Sequence, residues 1–204
     1  DAVTEALVRT MSIERGGGKF YAAGDGSVAR AVVGNTAQAL LAPAWGVVEH
    51  FEADSEGVAL SWVFPQPLPG SGPIEITVAL EGLTLAGTDG EGWHFADSSG
   101  QARVRFGAAV AVDAAGTRWD LDVRPATDQD GRLVVALPEA ILAEAVYPLA
   151  IDPAITAEFG MGQPVASPSA GSENNATVAA TSTQFLVVWE DNRHSSSTGT
   201  DLYA

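Results

Sequence analysis

Strict alternation of apolar and polar residues over many short segments is the feature that most constrains this chain. In IEITVAL, Ile74, Ile76 and Val78 share one face of an extended strand, and the polar residues between them share the other. A period of two belongs to strands, whose successive side chains point to opposite faces. The same pattern recurs in VALSWVF, RVRFGAAVAV, TRWDLDV and LVVAL.

Sheets with one apolar face bury that face by packing against another apolar face. The alternation therefore predicts an all-β fold, an antiparallel two-sheet β-sandwich. The predicted core is Leu60, Trp62, Ile76, Val78, Phe106, Val110, Trp119, Leu121 and Val135. Within RVRFGAAVAV, the predicted inward face is Val104, Phe106, Ala108, Val110 and Val112. Hairpin turns are predicted at Asp89-Gly90, Ser99-Gly100, Ala115-Gly116 and Asp130-Gly131, because Gly in these pairs suits tight connections.

Helical patterns are confined to short stretches. Val3, Leu7 and Met11 recur every four residues, which predicts a short N-terminal helix that ends at the Gly16–Gly18 run. Pro138 opens PEAILAEA and predicts a second short helix. The segment TAQALLAPAW is compatible with one helical turn or with a loop.

The composition divides the chain into three predicted parts. Residues 1–18 form the helical segment, and residues 19–155 form the sandwich. Residues 156–204 form a linker rich in Gly, Pro, Ser and Asn, followed by the start of a propeller-like repeat. That last part contains the strand-like runs ATVAA and QFLVVWED, and we expect it to be an incomplete repeat segment.

The charge balance limits the classes of partner. The chain has 26 acidic and 10 basic residues, for a formal net charge of −16. Such a surface repels phosphates, so we expect no nucleic acid partner and no adsorption to anionic lipid. No stretch approaches the roughly 20 apolar residues of a spanning helix, so no membrane insertion is expected. The absence of cysteine excludes disulfides and thiolate metal sites.

A calcium site is the one cofactor that the sequence suggests. Asp128 and Asp130 alternate directly before Gly131, as carboxylates do at the start of a calcium-binding loop. The full twelve-residue loop pattern and its terminal Glu are missing. The alternative, in which DQDG is a hairpin turn whose acids cap the backbone, stays open.

Catalytic and sugar-binding patterns are sparse. His50, His94 and His194 form no zinc-binding motif, and no G-x-S-x-G nucleophile motif occurs. We expect each histidine to be a surface or hydrogen-bonded strand residue, and we predict no catalytic residues. Trp45 and Trp93 lie near turns, where an exposed pair could stack on sugar rings.

Several motifs together resemble a known family. They are GVVE at 46–49, IEI at 74–76, WHF at 93–95 with Asp97 and Gly100, VDAAG at 112–116, YPLAIDP at 147–153, FLVVWEDNR at 185–193 and DLY at 201–203. This set resembles the N-terminal domain of large secreted bacterial repeat proteins, including those with seven-bladed or SBBP-type β-propeller repeats. The resemblance implies a secreted or surface-attached bacterial protein and carries over no catalytic residue.

These observations lead to one preferred function and two alternatives. The preferred function is a non-enzymatic structural or adhesive module at the bacterial surface. Its partners would be the following repeat domain of the same protein and a surface glycan or protein ligand. The first alternative is a carbohydrate-binding module that uses Trp45 and Trp93. The second is a hydrolase with a pair of carboxylates in a deep pocket, one with a raised pKa.

Overall fold

The structure is a computed structural model. It describes residues 7–24, 28–53, 57–90, 92–127, 131–157, 173–180, 185–191 and 201–203. The chain divides into two compact units, residues 1–160 and 161–204. The described residues are mostly strands, which confirms the predicted all-β class.

The first unit contains thirteen strands and one helix among its described residues. The first seven strands are β1 (Leu7–Arg15), β2 (Gly18–Ala22), β3 (Ala29–Val33), β4 (Thr36–Ala42), β5 (Val47–Ala53), β6 (Gly57–Phe64) and β7 (Ile74–Glu81). The remaining elements are β8 (Thr84–Thr88), β9 (Gly92–Ala96), β10 (Ala102–Val112), β11 (Arg118–Pro125), β12 (Arg132–Leu137), α1 (Glu139–Glu144) and β13 (Leu149–Ala157).

These strands form one curled antiparallel sheet. Its order is β2-β1-β7-β12-β11-β10-β13-β6-β5-β4-β3, and β9 and β8 extend from β10 beside this path. Strand β11 joins the two parts of the sheet, since residues 118–121 pair with β10 and residues 122–125 pair with β12. The strands β2 and β3 are the two ends of the path.

The core lies inside the curl. Leu60, Trp62 and Phe64 alternate along β6 and are fully buried, as are Ile76 and Val78 on β7. This confirms the predicted inward faces, because a strand presents every second residue to the core. Of the predicted core, Leu121 and Val135 are also buried, whereas Val110 and Trp119 are half-buried.

The predicted N-terminal helix is wrong over residues 7–15, which form strand β1. This strand pairs with β2 on one side and with β7 on the other. Its register shifts between Thr10 and Ser12, and again between Ile13 and Glu14. The first shift resets the alternation, so the buried residues Thr10 and Ile13 fall three apart. Of the residues that gave the helical pattern, Leu7 is exposed and Met11 is half-buried. Val3 lies outside the described residues.

The predicted inward face of RVRFGAAVAV is wrong in its second half. The register of β10 against β13 shifts between Phe106 and Ala109, so a bulge lies between these residues. Beyond it, Ala109 and Ala111 are fully buried, whereas Ala108 is exposed and Val110 is half-buried. A bulge of one residue moves every later side chain to the opposite face.

The local predictions around turns and short helices have mixed outcomes. TAQALLAPAW is neither a helical turn nor a loop over residues 36–42, which form strand β4 between β3 and β5. The helix predicted after Pro138 is confirmed as α1. Hairpins confirm the predicted turns at Asp89-Gly90, Ser99-Gly100 and Ala115-Gly116, and the glycine of each has a positive φ. Of the fourth pair, Gly131 also has a positive φ, and Asp130 lies outside the described residues.

The second unit contains a separate three-stranded antiparallel sheet. Its strands are β14 (Glu173–Ala180), β15 (Phe185–Asp191) and β16 (Asp201–Tyr203), in that order. The strand predicted at ATVAA lies within β14, and the one predicted at QFLVVWED is confirmed from Phe185 onward as β15. The predicted domain boundaries, at residues 18 and 155, stay predictions.

Candidate functional site

Four polar or charged residues of the described part are buried: Thr10, Glu49, His94 and Asp113. A buried polar side chain is costly unless another group binds it. The partners of these four residues therefore show where the molecule concentrates its polar chemistry.

Glu49 is the centre of a buried cluster that we call the clasp, formed by Thr10, Glu49 and Trp62. Glu49 on β5 is paired in register with Trp62 on β6. Thr10 reaches them from β1, across the core. The Thr10 hydroxyl donates a short hydrogen bond to Glu49 Oε1. The Trp62 indole donates from Nε1 to Thr10 Oγ1 at 2.9 Å. The clasp thus connects strands that are far apart along the sheet path.

Burial dominates the electrostatics of the clasp. Removal from water raises the pKa of the Glu49 carboxyl, and the hydrogen bonds from Thr10 and Trp62 and the charge of Arg30 oppose this only partly. Burial also raises the pKa of Tyr21 on β2, and the neighbouring Glu49 adds to that rise. The site can therefore hold a proton. It is closed to a substrate, since Glu49 is only 6% exposed.

Glu49 was not among the residues predicted from sequence to have a special role. A signal was present, because Glu49 stands in alternation with Val47 and Phe51, at a position where the strand pattern expects an apolar residue. An acid at an inward position of a strand indicates either a register error or a buried carboxyl.

Asp97 organises the loop between β9 and β10. Its Oδ1 accepts hydrogen bonds from the backbone N–H of Ser99 at 2.8 Å and of Gln101 at 3.2 Å. Its Oδ2 accepts one from Arg103 Nε at 2.7 Å. Hydrogen bonds from Ser99 and Arg103 hold the pKa of Asp97 far below its ordinary value.

Asp113 organises the next loop, between β10 and β11, in the same way. Its Oδ1 accepts from the backbone N–H of Ala115 at 3.0 Å and of Thr117 at 2.8 Å. Its Oδ2 accepts from the backbone N–H of Val146 at 3.0 Å. These backbone hydrogen bonds, that of Val146 foremost, lower the pKa of Asp113. The loop is thereby fixed to the segment that leads into β13.

The two loops share one five-residue design, Asp-x-x-Gly-x. In each, the Asp carboxylate binds the N–H groups two and four residues later, and the Gly has a φ near +80°, 82° at Gly100 and 83° at Gly116. Such side-chain hydrogen bonds to the following backbone are what makes Asp favourable in turns. Asp97 and Gly100 of the first loop, and DAAG of the second, belong to the motifs on which the resemblance rests.

His94 contacts a carboxylate. On β9 it is 3% exposed, and its Nε2 lies 3.2 Å from Asp89 Oδ2 across the β8–β9 hairpin. The sequence predicts a surface or hydrogen-bonded strand residue here, and His94 lies inside with an acid beside it. Asp89 precedes His94 by only five residues, a separation that a hairpin can bring together.

The tryptophans proposed for sugar binding lie apart and are half-buried against the core. Trp45 lies in the turn between β4 and β5 and packs edge-to-face on Phe20, with ring centroids 6.1 Å apart. Trp93 lies on β9 and donates from Nε1 to the Val123 carbonyl at 2.9 Å. No ring contact joins the two tryptophans in the described part of the chain.

The calcium prediction falls on Asp128 and Asp130, which lie outside the described residues, as does His194. Among the residues that the structure describes, no group of three or more His, Asp or Glu side chains is arranged to hold a metal ion. No helix in the same ranges is long and apolar enough to cross a bilayer.

A shallow groove of about 300 Å³ lies on the outer face of β1, β2, β7 and β12. Its carboxylates are paired with cations: Glu14 lies 3.8 Å from Lys19, and Glu75 lies 2.5 Å from Arg124. These pairs are exposed, and exposed ion pairs contribute little to stability.

Comparisons with known proteins found no matching family model, no matching curated protein and no matching solved structure.

Proposed function

We propose that this chain is a non-enzymatic extracellular module, structural or adhesive, that precedes a repeat array at the surface of a bacterium. We further propose that the two parts of its curled sheet act as the two layers of a β-sandwich. The proposal rests on the role of Asp97 and Asp113 in their loops. Both carboxylates bind backbone N–H groups of their own loops, so the motifs of the resemblance serve the fold.

The arrangement of acids supports a module without catalysis. Hydrolysis by paired carboxylates needs two acids that face each other across a cleft, one of them with a raised pKa. Glu49 has a raised pKa but lies closed in the core. Burial also raises the pKa of Asp152, which is on the exposed side of β13, away from any contact with the clasp in the described residues.

The second unit supports the repeat part of the proposal. Propeller blades are antiparallel sheets of four strands connected in sequence. The strands β14, β15 and β16 form an antiparallel sheet in sequence order, as strands of a blade do. The adhesive part of the proposal requires a surface glycan or protein as the ligand.

A combined binding and activity screen tests the proposal. The purified chain is applied to a glycan array and to a panel of chromogenic glycosides and esters. We expect no turnover of any substrate. If turnover disappears in Glu49→Gln and persists in the exposed control Glu52→Gln, the chain is a hydrolase and not a non-enzymatic module. Glycan binding that is lost in Trp45→Ala or Trp93→Ala would favour the carbohydrate-binding alternative.

Limited proteolysis tests the modular part. We expect early cleavage between residues 158 and 172 and a stable fragment that ends near residue 157, because the first unit has its own core. If the chain resists cleavage there, and removal of residues 161–204 unfolds the remainder, the two units do not act as separate modules.

A further inference from the structure

The curled sheet has a seam between its ends. The terminal strands β2 and β3 lie at opposite ends of the path, and no backbone ladder joins them in the described residues. Side chains make the contacts across the core. The clasp links β1 to β5 and β6, and Phe20 on β2 contacts Trp45 beside β5. Closure at this seam therefore depends on side-chain contacts, and Glu49 is central to the hydrogen bonds among them.

We propose that the Thr10–Glu49–Trp62 clasp is a proton-operated closure, which holds the ends of the curled sheet together in acid and loosens them as the pH rises. Protonated Glu49 is neutral and can remain buried while it accepts the hydrogen bond from Thr10. Ionised Glu49 is a charge in the core without a cation in hydrogen-bond contact among the described residues, and an isolated buried charge is strongly unfavourable.

The charged and titratable groups around Glu49 favour this behaviour. Tyr21 faces it from β2, and its hydroxyl stays neutral because burial raises its pKa. Arg30 on the exposed end strand β3 favours the ionised carboxylate, but less than burial disfavours it. Arg9 on β1 acts on Tyr21 and forms an exposed ion pair with Glu81, 3.4 Å away. The flanking strands β4 and β6 place Ala39 and Trp62 beside Glu49, and neither titrates.

The direction of the effect follows from proton binding. Folding raises the pKa of Glu49 above its ordinary 4.5, so the folded chain binds this proton more tightly than the unfolded chain. The stabilising contribution is complete below that ordinary value and is lost as the pH rises through the pKa of the folded state. This is opposite to the usual carboxylate, whose loss of charge in acid destabilises the fold.

The test compares the full chain with Glu49→Gln and with Glu52→Gln, an exposed acid on the same strand. Gln keeps the shape and the acceptor of the protonated carboxyl but cannot ionise. Denaturant unfolding is measured from about pH 4 to about pH 8. We expect the unfolding equilibrium constant of the wild type to rise relative to Glu49→Gln, by roughly tenfold for each pH unit between the pKa values of the unfolded and folded states. Glu52→Gln should follow the wild type. Parallel curves for wild type and Glu49→Gln would overturn the proposal.

Hydrogen exchange locates the loosening. After correction for the intrinsic pH dependence of exchange, β1 and β5 of the wild type should lose protection as the pH rises, while β10 and β13 keep it. Glu49→Gln should show no such difference. Uniform loss over all strands would exclude a local closure.

A measurement on the wild type makes the proposal testable even if Glu49→Gln does not fold. In a chain labelled with ¹³C at the glutamate carboxyl carbons, one signal should titrate at higher pH than the others, and Thr10→Val should move that signal. If every glutamate titrates together near the ordinary value, Glu49 is ionised in the folded chain and the closure does not exist.

Discussion

Glu49 and Asp113 are both buried carboxyl groups, yet their surroundings move their pKa values in opposite directions. Asp113 lies in a loop where three backbone N–H groups converge on its two oxygens. Glu49 lies between strands whose N–H groups already bind neighbouring strands, so only side-chain donors reach it. Burial alone therefore does not set the direction in which the pKa of a carboxyl moves in this molecule. The direction depends on whether free backbone N–H groups are available to bind the carboxylate.

The comparison also distinguishes two ways in which acids hold this fold together. Asp97 and Asp113 are ionised, and their carboxylates bind backbone N–H groups of their own loops. The charge therefore stabilises these loops. Glu49 connects strands far apart in the sheet and is favoured when neutral. Substitutions in the two regions should therefore change the stability of the fold by different amounts, and the change should depend on pH in different ways.

The largest expected effect is at the clasp. Trp62→Ala removes a fully buried indole and the donor to Thr10, and should lower the free energy of unfolding by about 3–5 kcal/mol. Trp119→Ala, at a half-buried position, should cost clearly less. Denaturant unfolding measures both. Equal losses would mean that Trp62 is not a central contact of the fold.

Asp113→Ala should have the next largest effect. It leaves the N–H groups of Ala115, Thr117 and Val146 without their acceptor, and should lower the melting temperature by about 5 °C. Asp120→Ala, an exposed change on β11, is the matched control and should leave the melting temperature nearly unchanged. Thermal unfolding followed by circular dichroism would separate them, and identical curves would contradict the role of the loop.

The dependence on pH provides the sharpest contrast between the regions. The pKa of Asp97 is lowered in the folded chain, so its stabilising contribution is present above the ordinary aspartate value of 3.8 and is lost as the pH falls through the folded pKa. Asp97→Asn should therefore flatten the acid side of the stability curve. Glu49→Gln should flatten the side above about pH 4.5. Urea unfolding across pH measures both, and flattening on the same side would refute the comparison.

The smallest effects are expected at the loop glycines. Gly100→Ala and Gly116→Ala force a side chain into the left-handed region, with no atom within 4 Å to clash. Each should cost about 1–2 kcal/mol. Asn at the same positions should cost less, because Asn tolerates this conformation. Similar losses in the two loops would support a shared design, and a marked difference would argue against it.

The alternation and the turn residues were sufficient to predict most strands of the first unit. They failed where an irregularity shifted the phase. In β1 a register shift between Thr10 and Ser12 interrupts the alternation that marks a strand, and in β10 one bulge exchanges the faces of Ala109 and Val110. A bulge arises from pairing with neighbouring strands, and the sequence of one strand does not contain that pairing.

The candidate site was harder to predict than the strands. Its three members are 13 to 52 positions apart. Glu49 and Trp62 meet through the pairing of β5 with β6, and Thr10 reaches them only because the sheet curls. Asp97 and Asp113, by contrast, act on residues two and four positions later, so their loops were readable as turns. Local chemistry is visible in the sequence of this chain, and contacts between distant strands are not.

Strand β13 lies between β10 and β6 and is anchored at its start through Val146 and Asp113. Tension transmitted along β13 would load the hydrogen bonds on both its sides simultaneously, in shear, rather than breaking them one after another. An edge strand such as β3, pulled outward, would unzip bond by bond. The position of β13 thus makes the first unit resistant to a force applied at residue 157 along the strand.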